Sequence, residues 1–489
     1  MNRLAPRTLA LALLPVLLFL CAFSCDVPLV PGYQILRESR EIHFVSGEPP
    51  ALHIRGNFRL QNTGNSDLAF VDVTLPEESA FGRQNVRVEL NGHESAPASI
   101  PVEYQQEEPN SVRIPFDPPW KRKATLELAI EYDLVSPQDA GPRITLGPNE
   151  FHLGSRGWFP ELRPPKHVLS PYPRRPKLTP YTVRVPSSFL VLARGAPKGR
   201  MKAGGETEYR FVLLKDDLAP FVVAGNYVQA PPDAQRDSAT FWTLNPLAGD
   251  SQQAVTEIMQ TWNILAKDFG PLDRNISAPH VVESPELRGH NNGDDSGPVT
   301  ASFPGGVLVN PAALALGIDN EQFLEMVSHS LAHNWFGDQM YPAPDAAVGL
   351  GEGLPEYATI VVDEARNGPS ARRKRIEKYL TEYDEARKGA AEKALGITML
   401  NDPLAQRRIA LAKAPLFFVA LEDACGADAM QSGLRHMVDV LRGQEASYDS
   451  LRSALEESSG KDLAGLFRVW LNQDGIPADF RSRYQSSGN

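Results

Sequence analysis

Cysteine is scarce. The 489 residues hold three: Cys21, Cys25 and Cys425. Three cysteines cannot build a disulfide framework, so a fold of this length has to rest on its cores. There is no basic excess either. The formal net charge is −11, which leaves nothing to neutralise a phosphate backbone and argues against a nucleic-acid partner. No run is comfortable as a membrane span. The apolar stretch Leu9 to Phe23 is broken at Pro15 and falls short of the roughly 20 residues a bilayer requires.

That stretch instead has the form of an export signal. Arg3 and Arg7 make a positive start, and the run ends in Ala22-Phe23-Ser24-Cys25, similar to a bacterial lipobox. The expectation is a lipoprotein-type signal over 1–25, with lipid on Cys25 holding the chain to a membrane of the bacterial envelope, outside the cytoplasm. Cys425 is then left without a partner for an intramolecular bridge. Asp26, directly after Cys25, resembles a signal for inner-membrane retention.

What the sequence has in plenty is proline, 42 residues, which favours extended and loop-rich structure. Residues 26–229 read as strands. His53 to Leu60, Val86 to Leu90, Leu126 to Leu134 and Tyr181 to Val185 alternate apolar and polar, and Asn91-Gly92 is a hairpin signal. Antiparallel sheets, arranged as a sandwich or saddle, are expected. Pro171 to Lys177 reads as a solvated basic loop. Residues 230–245, opening on Ala230-Pro231-Pro232-Asp233, read as a linker. Beyond it the period becomes helical: Val255, Ile258, Trp262 and Leu265 mark a helix over 251–269. Gly289 to Pro298 reads as a polar loop, Gly306 to Val309 as a short strand, and Ala371 to Leu395 as a charged helix with a solvated face.

Chemistry concentrates in Glu325 to Asp338. His329 and His333 are one helical turn apart, so one face can offer two imidazoles to a zinc ion. Two such histidines alone are weak evidence. A third ligand follows: eighteen residues, 334–351, separate His333 from Glu352, which stands in Leu350-Gly351-Glu352-Gly353.

Taken together, His329-Ser330-Leu331-Ala332-His333, Asn334-Trp335-Phe336-Gly337-Asp338 and Gly351-Glu352-Gly353 resemble the gluzincin peptidases related to aminopeptidase N and leukotriene hydrolase. The family motif is His-Glu-x-x-His with a later Glu at this spacing. Weaker similarity lies in Asp217 to Gly225 and in Leu466 to Pro477. No stretch matches the large helical C-terminal domain of full-length aminopeptidase N. The resemblance implies an α+β multidomain chain: an N-terminal β-rich domain over 26–229, then a thermolysin-like, mainly helical zinc domain over 246–485. It implies one Zn²⁺ held by His329, His333 and Glu352, and a peptide or protein ligand in the groove beside it. Glu356, four residues after Glu352, could support a ligand histidine.

Three departures bear on activity. The family's motif glutamate shuttles the proton of a metal-polarised water, a task that wants a carboxylate. Ser330 occupies that position and is no base near neutral pH. A later family tyrosine stabilises the oxyanion, and Leu411 stands near its place in Ala410-Leu411-Ala412-Lys413-Ala414, unless Tyr379 or Tyr383 supplies the phenol. The family's amine-binding Glu has no counterpart in Thr300 to Gly306; Glu283, Glu286, Asp294 and Asp295 are merely near in sequence. Glu325, one turn before His329, is a candidate substitute base. No catalytic residue is therefore assigned. The first expectation is a zinc-binding chain impaired as a peptidase. The second is a working zinc hydrolase that uses metal-bound hydroxide and a non-standard base. The third, a relic without metal, fits least, since all three ligands remain.

Overall fold

The computed structural model describes residues 32–484 apart from 76–81, 96–97, 100–110, 136–143, 155–157, 164–175, 215–216, 219, 235–236, 248–250, 273–275 and 289–296. The leader with Cys25, most of the loop 171–177 and the acidic pair Asp294 and Asp295 lie outside the described residues. Among those described, no helix is long and apolar enough to cross a membrane.

The first domain is built on alternation. Strands β1 (Tyr33–Val45), β2 (Ala51–Asn62), β3 (Gly82–Leu90), β4 (His93–Ser95), β5 (Thr125–Val135), β6 (Glu150–Leu153), β7 (Leu178–Pro186), β8 (Ala196–Ala203), β9 (Glu206–Leu214) and β10 (Val222–Gly225) all belong to it. Eight form one sheet in the order β8-β9-β7-β1-β2-β5-β3-β4. The central strand β2 shows the physical rule: Leu52, Ile54, Phe58 and Leu60 are buried, while Arg55 between them turns outward to pair with Glu131 and Glu89. One face covers a core and the other meets water, and the sheet is antiparallel as expected except where β1 and β7 run parallel. Gly56 interrupts the pattern because a Cβ there would lie 2.9 Å from Phe159 and Pro160. The Asn91-Gly92 turn joins β3 to β4, with Leu90 opposite His93. β6 and β10 pair with each other in a smaller sheet that faces the second domain.

The stretch expected as a linker is structured. β11 (Val228–Ala230) and β12 (Thr240–Thr243) pair antiparallel, and β12 continues into the second sheet. That sheet has the order β11-β12-β13-β15-β14, with β13 (His280–Glu283), β14 (Thr300–Phe303) and β15 (Gly306–Val309). The turn-rich composition of 230–239 hides the hairpin, whereas Phe241 and Trp242 are buried. Helix α1 (Ser251–Phe269) lies between, and α2 (Glu321–Ala332), α3 (Leu354–Asn367), α4 (Pro369–Gly389) and α5 (Leu404–Cys425) follow. α4 ends at Gly389, short of the expected Leu395, and an irregular segment intervenes. The two domains meet through a shared apolar cluster that includes Phe221 and Tyr227 from the first and Phe303 and Leu308 from the second. Polar contacts flank it: Ser284 lies 2.9 Å from the Thr145 hydroxyl and 3.2 Å from the Glu150 carboxylate.

One charge pair is wholly internal. Lys413 on α5 and Glu392 are each 1 % exposed at the side chain and 2.7 Å apart. Lys413 also donates to the Gln473 carbonyl, and Glu392 accepts from the Gly475 amide and the Tyr383 hydroxyl. Burial works against a charged Glu392, but these hydrogen bonds outweigh it and hold the carboxyl below its usual range. Removing Lys413 leaves the buried Glu392, among the described residues, with only the more distant, half-exposed Arg387 as its cation, at 3.5 Å. Lys413→Met is expected to destabilise the second domain by about 3–5 kcal/mol, read by calorimetry. Because the Glu392 pKa is depressed, its contribution is present above the unfolded value of about 4.3 and is lost as pH falls through the folded value.

Candidate metal centre

α2 starts at an Asn320 cap, whose side chain accepts from the Gln322 amide, and carries the two histidines at its far end. His329 sits in the last turn. His333 is the C-cap residue, after which the chain leaves the helix in a wide turn over 334–339 with Phe336 at φ −108°, ψ 49°. Trp335 and Phe336 anchor this turn: their rings pack on Trp262 and Phe269 of α1. The Trp-Phe-Gly that follows the second histidine therefore fixes the helix end against the core.

Glu352 arrives from a second wide turn, 347–353, that leads into α3. Gly353 is required behind it. A Cβ there would come within 2.6 Å of Ala414 on α5, so glycine lets the turn press against α5 with Glu352 facing out. The outcome is a three-point cluster. His329 Nε2 and His333 Nε2 are 3.1 Å apart, and Glu352 Oε2 lies 3.6 Å and 3.7 Å from them. Tetrahedral bonds of about 2.0–2.1 Å place ligand atoms about 3.3–3.4 Å from one another. The three atoms fit one zinc ion, with a side left for a fourth ligand.

The surroundings orient the ligands. His329 Nδ1 lies 3.1 Å from Glu356 Oε1, so Nε2 is the nitrogen turned to the site. Tyr379 donates to the other oxygen of Glu356, and the Phe336 main chain holds the His333 ring. This is the arrangement in which an outer carboxylate fixes a metal-binding imidazole. Glu356 thus stands behind the ligand histidine. Its position on α3 follows from Pro355, which occupies the first turn of that helix, where proline is tolerated.

Electrostatics makes the site a proton trap without its ion. Burial opposes a charge on His329, but Glu356 and Glu352 outweigh it and push the imidazole up to about 10. Burial dominates at His333 and pushes it down to about 4, with Glu352 pulling the other way. Burial also opposes charge on Glu356, yet His329 and Tyr379 bring it down to about 2. One imidazolium thus offsets the carboxylates, and a metal must displace its proton. Zinc binding at pH 7 is expected to release close to one proton per site and to weaken as pH falls. Calorimetric titration in two buffers of different ionisation enthalpy checks this; a buffer-independent heat would refute it.

The cluster opens into a groove of about 550 Å³ that runs between the domains. Ser330 lines it, 2 % exposed, and its hydroxyl donates to Thr300 Oγ1 at 2.8 Å. The residue at the base position is thereby tied to the edge strand β14. Glu325 is elsewhere: it pairs with Lys378 at 2.8 Å and with Arg375, which draw it away from the metal position, and these charges hold it below its usual range although burial opposes that. Leu411 packs on the helical core and is absent from the groove lining. Tyr379 and Tyr383 serve Glu356 and Glu392. Glu283 accepts the Leu244 amide. Where the family's amine-binding Glu was sought, Phe303 is buried against Phe221.

Two lining residues have no mark in the sequence pattern, His152 and Tyr341, and two others, Thr300 and Asp338, stand inside the motif stretches without a role of their own. His152 comes from β6 of the first domain, where nothing in an alternating strand separates a groove wall from a core position. Asp338 closes the Trp-Phe-Gly-Asp turn, so the turn that fixes the helix end also brings a second carboxylate to the cavity.

Residues 300–470 match the peptidase family M1 domain. No functionally curated protein matches the chain in sequence. Solved structures similar in fold include the M1 zinc metallopeptidase of Deinococcus radiodurans, 17 % identical, with 91 % of this chain and 95 % of that one covered and a TM-score of 0.62. Yeast LTA4 hydrolase is 15 % identical over 91 % of this chain and 69 % of its own, with a TM-score of 0.62. Legionella pneumophila aminopeptidase A is 15 % identical over 91 % and 50 %, with a TM-score of 0.61. At such identities the likeness establishes the fold.

Proposed function

From the premise that this chain carries a peptidase family M1 domain within the two-domain fold of M1 zinc metallopeptidases, we propose that it is an exported, zinc-holding member whose groove binds peptide and hardly cuts it. The observation that carries the reading is Ser330 tied to Thr300, with Glu325 neutralised by Arg375 and Lys378. His329, His333 and Glu352 would hold the ion. A bound zinc ion polarises a water and a carbonyl oxygen. The chain's own residues then bind and orient, but Ser330 has no basic atom to take a proton, and loss of that help costs about 10²–10⁴ in rate. Leu411 leaves the usual phenol position without a hydroxyl, and Tyr341 is the tyrosine on the described lining.

Retention of the complete ligand set favours a second reading, hydrolysis with a different base. Asp338 is the carboxylate other than Glu352 on the described lining and is the residue that reading would use. Metal analysis of the purified chain together with turnover of a mixed peptide library separates the two. About one zinc per chain without turnover supports the first. Turnover lost in both His329→Ala and Asp338→Asn would sink it. Anchoring through lipid on Cys25 is the part of the proposal that mass spectrometry of the mature N-terminus tests: an unmodified cysteine, or an N-terminus elsewhere, removes it.

A further inference from the structure

We infer that the groove takes an apolar polypeptide segment that presents no free amino group to the wall formed by His152 and Phe303. This rests on the peptide-binding reading above and adds the class of peptide. Two separate observations carry it, one at His152 and one at the Leu400 loop, both on the groove lining.

The wall is neutral. His152 is 1 % exposed, and neither ring nitrogen has a hydrogen-bond partner. Its ring lies 5.9 Å from that of Phe303. Burial pushes the imidazole down to about 3, so it carries no charge at neutral pH. Glu150, two residues away, is engaged by Thr145 and Ser284, and burial raises its carboxyl to about 8 despite those bonds. Among the described residues the lining carboxylates are Glu352, at the metal position, and Asp338. Asp338 also borders a small void against Arg194 and Asn334. Among the described residues no carboxylate meets an ammonium group at the His152–Phe303 wall, so bringing one there would cost its hydration without a counter-charge from them, which is strongly unfavourable. An acylated end, or the middle of a chain, carries no such penalty.

The mouth is apolar and held open. Leu400 lines the groove and is 50 % exposed; Ile397 and Met399 beside it are 61 % and 38 % exposed. This loop is not slack. Lys393 grips both oxygens of Asp402 at 2.8 and 2.6 Å, Asp402 accepts the Met399 amide at 2.8 Å, and Thr398 bonds back to the Ala394 carbonyl. A braced loop that keeps three apolar side chains in water suits a partner that covers them. β14, which lines the groove, is the edge of its sheet among the described residues and offers an extended chain main-chain hydrogen bonds. Leu400 belongs to the same cavity as the metal cluster, so what covers the lip is the chain lying in the groove.

The test uses the full-length, zinc-loaded protein and calorimetric titration with four hexapeptides. One is built from leucine, valine and alanine with both ends blocked. The second is the same peptide with a free amino end, the third the same with a free carboxyl end, and the fourth a blocked peptide of serine, glutamine and alanine. The blocked apolar peptide is expected to bind at least about tenfold more tightly than the free-amino and the polar ones. Ile397→Asp with Leu400→Asp is expected to weaken it by about tenfold and to leave zinc stoichiometry unchanged. His152→Glu is expected to narrow the gap between blocked and free-amino peptides. Equal or tighter binding of the free-amino peptide overturns the inference, as does indifference to the double substitution. Binding of none of the four overturns the peptide-binding reading itself.

Discussion

Replacing His333 with alanine is expected to remove zinc almost completely and to lower the melting temperature of the second domain by several degrees or more. His333 is a candidate ligand and also the C-cap of α2, where the chain turns sharply toward Trp335 and Phe336. Two ligand atoms remain after the substitution, and two protein ligands do not make the closed or nearly closed set that zinc sites use. Saturating metal at about a thousand times its dissociation constant stabilises a folded state by about 4 kcal/mol. For a domain of this size that is about 8–16 °C. Wild type stripped with a chelator should fall by a similar amount, and the variant should not respond to the chelator. Metal analysis and calorimetry on the same samples decide the matter. A variant that keeps one zinc per chain would show that the ligand set has been misassigned.

Ser330→Glu is the second large effect, and it runs the other way: peptide hydrolysis is expected to rise by about 10²–10⁴ over wild type, the usual worth of a positioned general base. Ser330 faces a groove of about 550 Å³, so a longer side chain has room along the cavity once its bond to Thr300 is gone. The gain should remain well short of a fully equipped site, because Leu411 stands away from the groove and oxyanion stabilisation is worth about 3–4 kcal/mol in comparable enzymes. Initial rates on a blocked apolar peptide provide the measurement. If zinc remains bound and the rate does not move, the missing phenol at Leu411 and the reshaped wall at Phe303 are the barrier, and the impairment lies beyond Ser330.

The metal cluster was the most legible feature because its spacing is local. A helix turn brings His329 over His333, and Gly351-Glu352-Gly353 marks the third position, although the close approach of Gly353 to Ala414 shows only in the fold. The strands of the first domain were legible for the same reason, since alternation over ten residues is a local signal. What could not be read depends on distant partners. Glu325 looked free to serve as a base until α4 brought Arg375 and Lys378 onto it, about 50 positions further along the chain. Glu356 reads from the sequence more readily as a solvated glutamate than as a support for His329, because only the fold places Tyr379 and the imidazole on either side of it. The hairpin inside 230–245 was masked by prolines and aspartates in its turn. His152 had no signal at all: it matters only because two domains meet there.

That last point bears on how the chain can be divided. The three metal ligands, Ser330 and the strand Thr300–Phe303 all belong to the second domain, so a fragment starting near β11 keeps everything needed to coordinate an ion. It would lose His152 and Gly154, and with them one side of the cavity. Metal affinity and ligand selectivity are therefore separable properties with different owners along the sequence. The first can pass between proteins as a single module. The second exists only while both modules are joined in register, so substitutions that shift the Glu150–Ser284 contact can retune what is bound without touching a ligand.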